Sequence, residues 1–261
     1  MNYPLLFSEG KIGKVTIRNR IVMPPMEVGM SNFDGTPSEQ LIAYYEERAR
    51  NGLGLLITGI ARVNETHGAA LPRQLAMSHD RHIEPYGRMV ERVHAHGTKV
   101  FCQLHHPGRQ NMGIMIGIWR FNELLGRLWP GYWNLFIKLG SVLAPLAPKM
   151  GQMGLTLPVV GPSAVMCTYE NQRTRALKHF EIKRLERDFI AAARRVQLSG
   201  ADGVELHAAH GYLIQQFLSP HTNRRTDEYG GSLENRMRFL LNIIRGIRAE
   251  LQEAQDLATR Q

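Results

Sequence analysis

Gly200-Ala201-Asp202-Gly203-Val204-Glu205-Leu206-His207-Ala208-Ala209-His210-Gly211-Tyr212 decides the fold. Upstream, Ile182, Leu185, Phe189, Ala193 and Val196 recur at helical spacing over residues 179–199, and Gly200 supplies a C-cap. A strand at 203–210 follows at once. Two imidazoles three residues apart, and a phenol two further on, leave the end of that strand, where α/β enzymes place their chemistry.

Working outward, the same order repeats three times: helix, Gly, a two- to three-residue link, strand. Strands are predicted at 20–26, 53–59, 99–106 and 203–210. Thr36-Pro37-Ser38-Glu39 reads as a capping box with Pro at the first helical position, opening a helix that runs through Arg50 and stops at Gly52. A second helix, 83–96, puts Ile83, Tyr86, Val90 and Val93 on one face and ends at Gly97. The last helix is capped by Ser232 and carries Met237, Leu240, Leu241, Ile244, Ile247 and Leu251 on one stripe. Short strands alternating with amphipathic helices predict an α/β fold of the TIM (β/α)8-barrel type. Only about four βα units can be counted, so the barrel reads as truncated. A parallel half-barrel leaves two unpaired edges and an uncovered apolar face, which a lone chain tolerates poorly.

The 261 residues are 43% hydrophobic, enough for a sizeable core. A net charge of +9 favours anionic partners such as phosphate groups or nucleotide-linked substrates. No basic run interleaves with aromatics and no nucleic-acid-binding motif is present, so nucleic acid is not an expected partner. Cys102 and Cys167 lack the CxxC spacing of a metal or cluster site and read as a reduced, cytoplasmic pair. The start, Met1-Asn2-Tyr3-Pro4-Leu5-Leu6-Phe7, has no signal-peptide pattern, and no uncharged apolar stretch is long enough to span a bilayer, so membrane contact is not expected. Between the third strand and the third helix lies a hydrophobic insertion at about 111–158. It holds Trp119, Trp129 and Trp133 and only five charged residues, Arg120, Glu123, Arg127, Lys138 and Lys149. A lid or substrate channel and packing against a partner subunit or domain stand as equal readings, with a surface-lying membrane contact behind them.

The block from His207 through Ser219-Pro220 and on to Asn223-Arg224-Arg225-Thr226-Asp227-Glu228-Tyr229-Gly230-Gly231-Ser232-Leu233-Glu234-Asn235-Arg236 resembles the substrate-binding signature of the Old Yellow Enzyme family of flavin-dependent oxidoreductases. The likeness extends to Asn19-Arg20-Ile21-Val22-Met23-Pro24-Pro25-Met26, Asp34-Gly35, Tyr45, Arg48-Ala49 and Gln103-Leu104-His105-His106-Pro107-Gly108-Arg109. It implies FMN as cofactor, with Pro24, Pro25 and Met26 beside the isoalloxazine ring. Glu27 would then stand next to the flavin N5 and O4 edge, where the best-known members have Cys or Thr; a carboxylate there disfavours an anionic reduced flavin. Gly59 and Ile60 leave the second strand where a bulky side chain would block a flat cofactor, although a glycine in that place also serves simply as a turn. Gln103 offers a donor and an acceptor to the pyrimidine edge; a lone Gln on a strand would instead read as a satisfied core amide.

By the same resemblance His207 and His210 hydrogen-bond the carbonyl oxygen of an unsaturated substrate, stabilising the enolate that develops as hydride arrives. Tyr212 is the proton donor, since a phenol with a pKa of ~10 stays protonated at neutral pH. A metal is the competing use of the two imidazoles, and no HExxH or comparable third ligand appears. Arg224, Arg225, Asp227 and Glu228 read as an ion-paired loop at the rim. Gly230-Gly231 is a turn, as the G-x-G-x-x-G pattern is absent.

Family members continue with a fifth strand bearing an Arg at the flavin's N1–C2=O end and with late loops that hold the flavin phosphate. Neither is found here. The whole of 1–261 is therefore expected to be the N-terminal part of an FMN-binding oxidoreductase barrel. It would pair with a missing C-terminal half or form a homo-oligomer. The expected activity is reduction of an activated C=C bond, in an enone or enoyl thioester, with electrons from NAD(P)H. The branch implied is NADH:flavin oxidoreductase and 2,4-dienoyl-CoA reductase. An iron–sulfur cluster and FAD belong only to a longer protein. The alternative is a non-catalytic half-barrel acting as an assembly or interaction module, or an inactive fragment.

Overall fold

The computed structural model of the chain describes residues 3–111, 159–168 and 173–258, with isolated positions at 125, 128, 129, 131, 132 and 135. Most of the insertion expected at 111–158 lies outside the described residues. An antiparallel hairpin, β1 (Gly10–Ile12) and β2 (Val15–Ile17), precedes the sheet. Then follow β3 (Val22–Met23), helix α1 (Glu39–Arg50), β4 (Leu55–Ile57), β5 (Ala61–Arg62), β6 (Leu75–Ala76), α2 (Ile83–His94) and β7 (Lys99–His105). The rest is β8 (Val159–Gly161), β9 (Thr174–Ala176), α3 (His179–Leu198), β10 (Gly203–Leu206), α4 (Leu213–Leu218) and α5 (Leu233–Ala258).

Four parallel strands in the order β3-β4-β7-β10 form the frame, with Met23 beside Leu56, Leu56 beside Val100, and Gln103 beside Glu205. This is four units of a (β/α)8 barrel, with β3 and β10 as the edges among the described residues. The predicted second strand, 53–59, is broken. The Gly59 N–H leaves the ladder to donate to the Tyr45 hydroxyl at 2.8 Å, and β5 takes over beside the far end of β7. The first strand is shorter than predicted, because 24–26 run out of the sheet. The fourth ends at Leu206, so His207 to His210 lie in the loop beyond it.

The three glycine-ended helices are present. Gly52, Gly97 and Gly200 all have positive φ, 93°, 72° and 80°, where a side chain would strain the turn into the next strand. At the start of α1 the cap is Ser38, whose Oγ accepts from Leu41 N at 3.1 Å, and Pro37 precedes it. Thr36 is turned away from the helix instead: its hydroxyl donates to Asp34 Oδ1 at 2.7 Å and accepts from Asn32 Nδ2 at 3.0 Å. Ser232 does cap α5, accepting from Asn235 N at 3.3 Å. The buried stripe of α5 is rotated from the expected one. Phe239, Ile243 and Ile247 are buried, with Leu240 and Leu251 packed beside them, because α5 lies against both α3 and α4.

Period-two alternation sorts the sheet into two faces. Leu56, Val100, Cys102 and Leu104 point outward into the helix layer with Tyr86, Val93, Phe189, Phe217 and Phe239. Leu55, Ile57 and Phe101 point inward and meet Ile17 from the hairpin. Gly203 faces Phe101 on that inner side, where an added Cβ would sit 2.7 Å from the ring.

Candidate active site

Climbing β7 along its inner face, the side chains pass from Phe101 to Gln103 to His105. Along β10 they pass from Gly203 to Glu205 to His207. The inner surface is thus apolar at its base, amide and carboxylate in the middle, and imidazole at the carboxyl end of the strands. That end is where barrel enzymes assemble their sites. Gln103 Nε2 donates to Glu205 Oε1 at 2.6 Å.

The loop after β10 turns through His210 at φ 56° and Gly211 at φ 76°. A non-glycine residue in the left-handed region carries strain that its surroundings must hold. Gln110 Nε2 donates to His210 O at 3.1 Å, and a Cβ on Gly211 would lie 2.3 Å from that same amide nitrogen. Leu213 N then donates to His106 O at 3.0 Å, seating α4 and with it Tyr212. The turn gathers three rings: His207 and His210 have centroids 5.0 Å apart, and Tyr212 lies 4.9 Å from His207.

Hydrogen-bond partners fix which ring nitrogens carry hydrogens. Ala209 N donates to His207 Nδ1 at 3.4 Å, which leaves the hydrogen of neutral His207 on Nε2, 3.3 Å from His210 Nδ1. Burial, with His210's charge second, lowers the His207 pKa to about 4. His207 is therefore a neutral donor at pH 7.

His105 had no assigned role in the sequence and proves central. Its ring lies edge-to-face with Tyr212 at 4.3 Å and 5.6 Å from His207. Gln74 Oε1 accepts from Ala70 N at 2.8 Å, so Gln74 Nε2 is the donor to His105 Nδ1 at 3.3 Å. The hydrogen of His105 then sits on Nε2, a fully buried atom without a partner among the described residues. Burial drives the His105 pKa well below the ordinary imidazole value. Arg62, itself wholly buried, donates to Gln74 O at 2.7 Å and pins the loop that brings Gln74 in.

The residues expected at the cofactor fall into two groups. Gln103 and Ile60 are buried and Gly59 is packed. A Cβ at Gly59 would meet Met26 O at 2.6 Å, so the crossing backbone at 26–27 requires a glycine there. Pro24 and Met26 are exposed, Met26 at 57%, and Pro25 is half-buried. Glu27 is half-buried; burial raises its pKa to about 7 against the Gly29 N–H, which donates to Oε1 at 2.8 Å and pulls the other way. Among the described residues there is no cluster of three or more metal-binding side chains. At the rim, Arg225 pairs with Asp227 and also donates to Pro162 O and Leu177 O, at 2.9 and 2.7 Å, while His179 meets Glu228 at 2.6 Å. Arg224 takes no part in these pairs: its N–H donates to Ser163 Oγ.

The NADH:flavin oxidoreductase / NADH oxidase family matches residues 5–115 and 142–260. The chain belongs to that family. It is 40% identical to an NADH oxidase of Thermoanaerobacter brockii over 99% of this chain and 34% of that protein. It is 34% identical to an NADPH dehydrogenase of Listeria monocytogenes over 93% of this chain and 60% of that protein. The solved Old Yellow Enzyme homologue of Zymomonas mobilis aligns with a TM-score of 0.73 at 30% identity, covering 95% of this chain and 60% of that one. Old Yellow Enzyme from Pichia gives 0.71 at 29% identity, over 93% and 56%. The chain therefore spans about one third to three fifths of the length of these relatives.

FMN, the family's cofactor, fits the residues present. Ile57 and Phe101 offer an apolar floor, Gln103 an amide oxygen with no partner among the described residues, and the His105 Nε2–H a buried donor left unpaired. Glu205, His105 and Gln74 escaped the sequence reading. Strict alternation along 203, 205 and 207, and along 103 and 105, marks the first two as inward-facing. Gln74 carries no local signal.

Proposed function

We propose that this chain is the N-terminal half of an FMN-dependent ene-reductase that reduces an activated C=C bond with electrons from NAD(P)H. The observation that carries the proposal is the convergence of His207, His210 and Tyr212 at the carboxyl end of the parallel strands, one layer above Gln103. Hydride transfer to the alkene carbon is the chemistry that bound FMN supplies. Gln103 would hold the pyrimidine edge of the ring, with Gly59, Ile60 and the 24–27 segment beside it. The neutral His207 gives its Nε2–H to the substrate carbonyl oxygen, joined by His210, and negative charge developing there is stabilised by both. Tyr212 delivers the proton to the carbon that hydride does not attack. The substrate is a small unsaturated carbonyl compound, enone or enoyl thioester. The two buried free thiols support a reducing, cytoplasmic compartment.

Tyr212→Phe tests the assignment. Alkene reduction should fall about 10²- to 10⁴-fold, the usual contribution of a positioned acid, while reduction of bound flavin by nicotinamide is nearly unchanged in stopped-flow absorbance. Equal loss in both half-reactions rejects Tyr212 as the acid. Protein that takes up no FMN from excess cofactor rejects the enzyme reading for this chain and favours a non-catalytic half-barrel.

A further inference from the structure

We infer that Glu205 is a positioning residue for the cofactor: its carboxylate holds the Gln103 amide so that the amide oxygen, not the NH2 group, is presented to the ring N–H of the flavin. This rests on the flavin reading above and adds to it the polarity of the contact.

Gln103 and Glu205 are directly paired across parallel strands and both face inward. Gln103 is 5% exposed and its Nε2 lies 2.6 Å from Glu205 Oε1. Carboxylate oxygens accept and have no hydrogen to give, whereas an amide can present either end. Turning the amide over would bring two acceptor oxygens together at hydrogen-bond distance. The pair therefore has one stable arrangement, and it leaves the Gln103 Oε1 as the open group. A flavin pyrimidine ring has a single N–H between two carbonyls. An acceptor aimed at that N–H would hold the pyrimidine end of the ring in register with β7 and β10. Without Glu205, the amide could offer its NH2 to either ring carbonyl and the ring would lose that register.

The test is a double-mutant cycle on FMN affinity, read by quenching of flavin fluorescence, with Glu205→Leu, Gln103→Leu and the pair. Glu205→Leu should weaken FMN binding about tenfold in the parent chain, the scale of one charge-assisted hydrogen bond, and less than twofold once Gln103 is Leu. Glu205→Gln, which keeps the size and lets the facing amides choose, should lose about threefold and guards against a folding defect in the Leu variant. With ¹⁵N-labelled FMN, the N3 proton should shift in Glu205→Leu toward its position in Gln103→Leu. Equal losses in both backgrounds, or unchanged affinity and N3 shift, overturn the inference while leaving the flavin reading intact. Failure of the parent chain to bind FMN overturns both.

Discussion

On the outer face of the sheet, Leu56, Val100, Cys102 and Leu104 lie under a continuous helix layer, and Phe189, Phe217 and Phe239 close that layer with no exposed surface. On the inner face, Leu55, Ile57 and Phe101 are buried too, but the apolar cluster they form among the described residues extends only to Ile17 and Val15, and Val22 at the edge is 40% exposed. The outer face is complete from its own residues and sets stability. The inner face trades apolar cover for amide, carboxylate and imidazole groups and gains most from a ligand. Substitutions on the two faces should therefore separate cleanly, outer ones appearing in unfolding and inner ones in binding.

The largest expected effect on stability lies outside. Phe189 meets Phe239 edge-to-face at 6.3 Å, and Phe239 stacks on Phe217 at 4.5 Å, tying α3, α4 and α5 together. Phe189→Ala removes a wholly buried ring from this packed trio and should cost about 4 kcal/mol by urea denaturation. A loss below about 1 kcal/mol would mean that the layer is loosely packed and that the contrast between faces fails.

A smaller effect, dependent on pH, is expected at Glu27, where the edge strand β3 opens toward the site. Its carboxyl sits half-buried, and burial raises its pKa from about 4.5 to about 7. A raised pKa means that the fold favours the protonated form. The stabilisation is complete below pH 4.5 and is lost as pH climbs through 7, by at most about 3 kcal/mol at 1.36 kcal/mol per unit. Glu27→Gln should flatten that part of the pH–stability curve between pH 5 and 8. Parallel curves for the two proteins would show that the carboxyl is solvated.

How much of this was readable in the sequence follows from the range of each interaction. Gly52, Gly97 and Gly200 announce helix ends because a positive φ is a local demand, so the helix–strand cadence and the barrel type were legible. Histidine and tyrosine at 207, 210 and 212 were legible for the same reason: one turn holds all three. The buried stripe of α5 was misjudged because Met237-Arg238-Phe239-Leu240-Leu241 offers more than one apolar face, and contact with α3 and α4 selects the one through Phe239. Thr36 and Ser38 can each cap a helix, and the turn that holds Thr36 against Asn32 and Asp34 leaves the role to Ser38. Glu205 pairs with a residue 102 positions away and Gln74 with one 31 away, so their roles depend on strand register, which no short window reveals.

The smallest of these effects belongs to His207, and it sharpens the contrast most. The residue is 7% exposed, and the rings around it are those of His105, His210 and Tyr212. If the inner face is built for ligands, His207→Ala should leave urea stability within about 1 kcal/mol, because the neighbouring Ala209 and His210 are exposed and let water reach the vacated space. Binding of a phenolic or enone ligand should weaken about tenfold, the worth of one hydrogen bond to a developing or partial negative charge. Titrating para-substituted phenols against the charge-transfer band of the flavin-loaded protein measures this directly. Unchanged ligand affinity with a large loss of stability would move His207 from the binding face into the structural core and invert the division between the two faces.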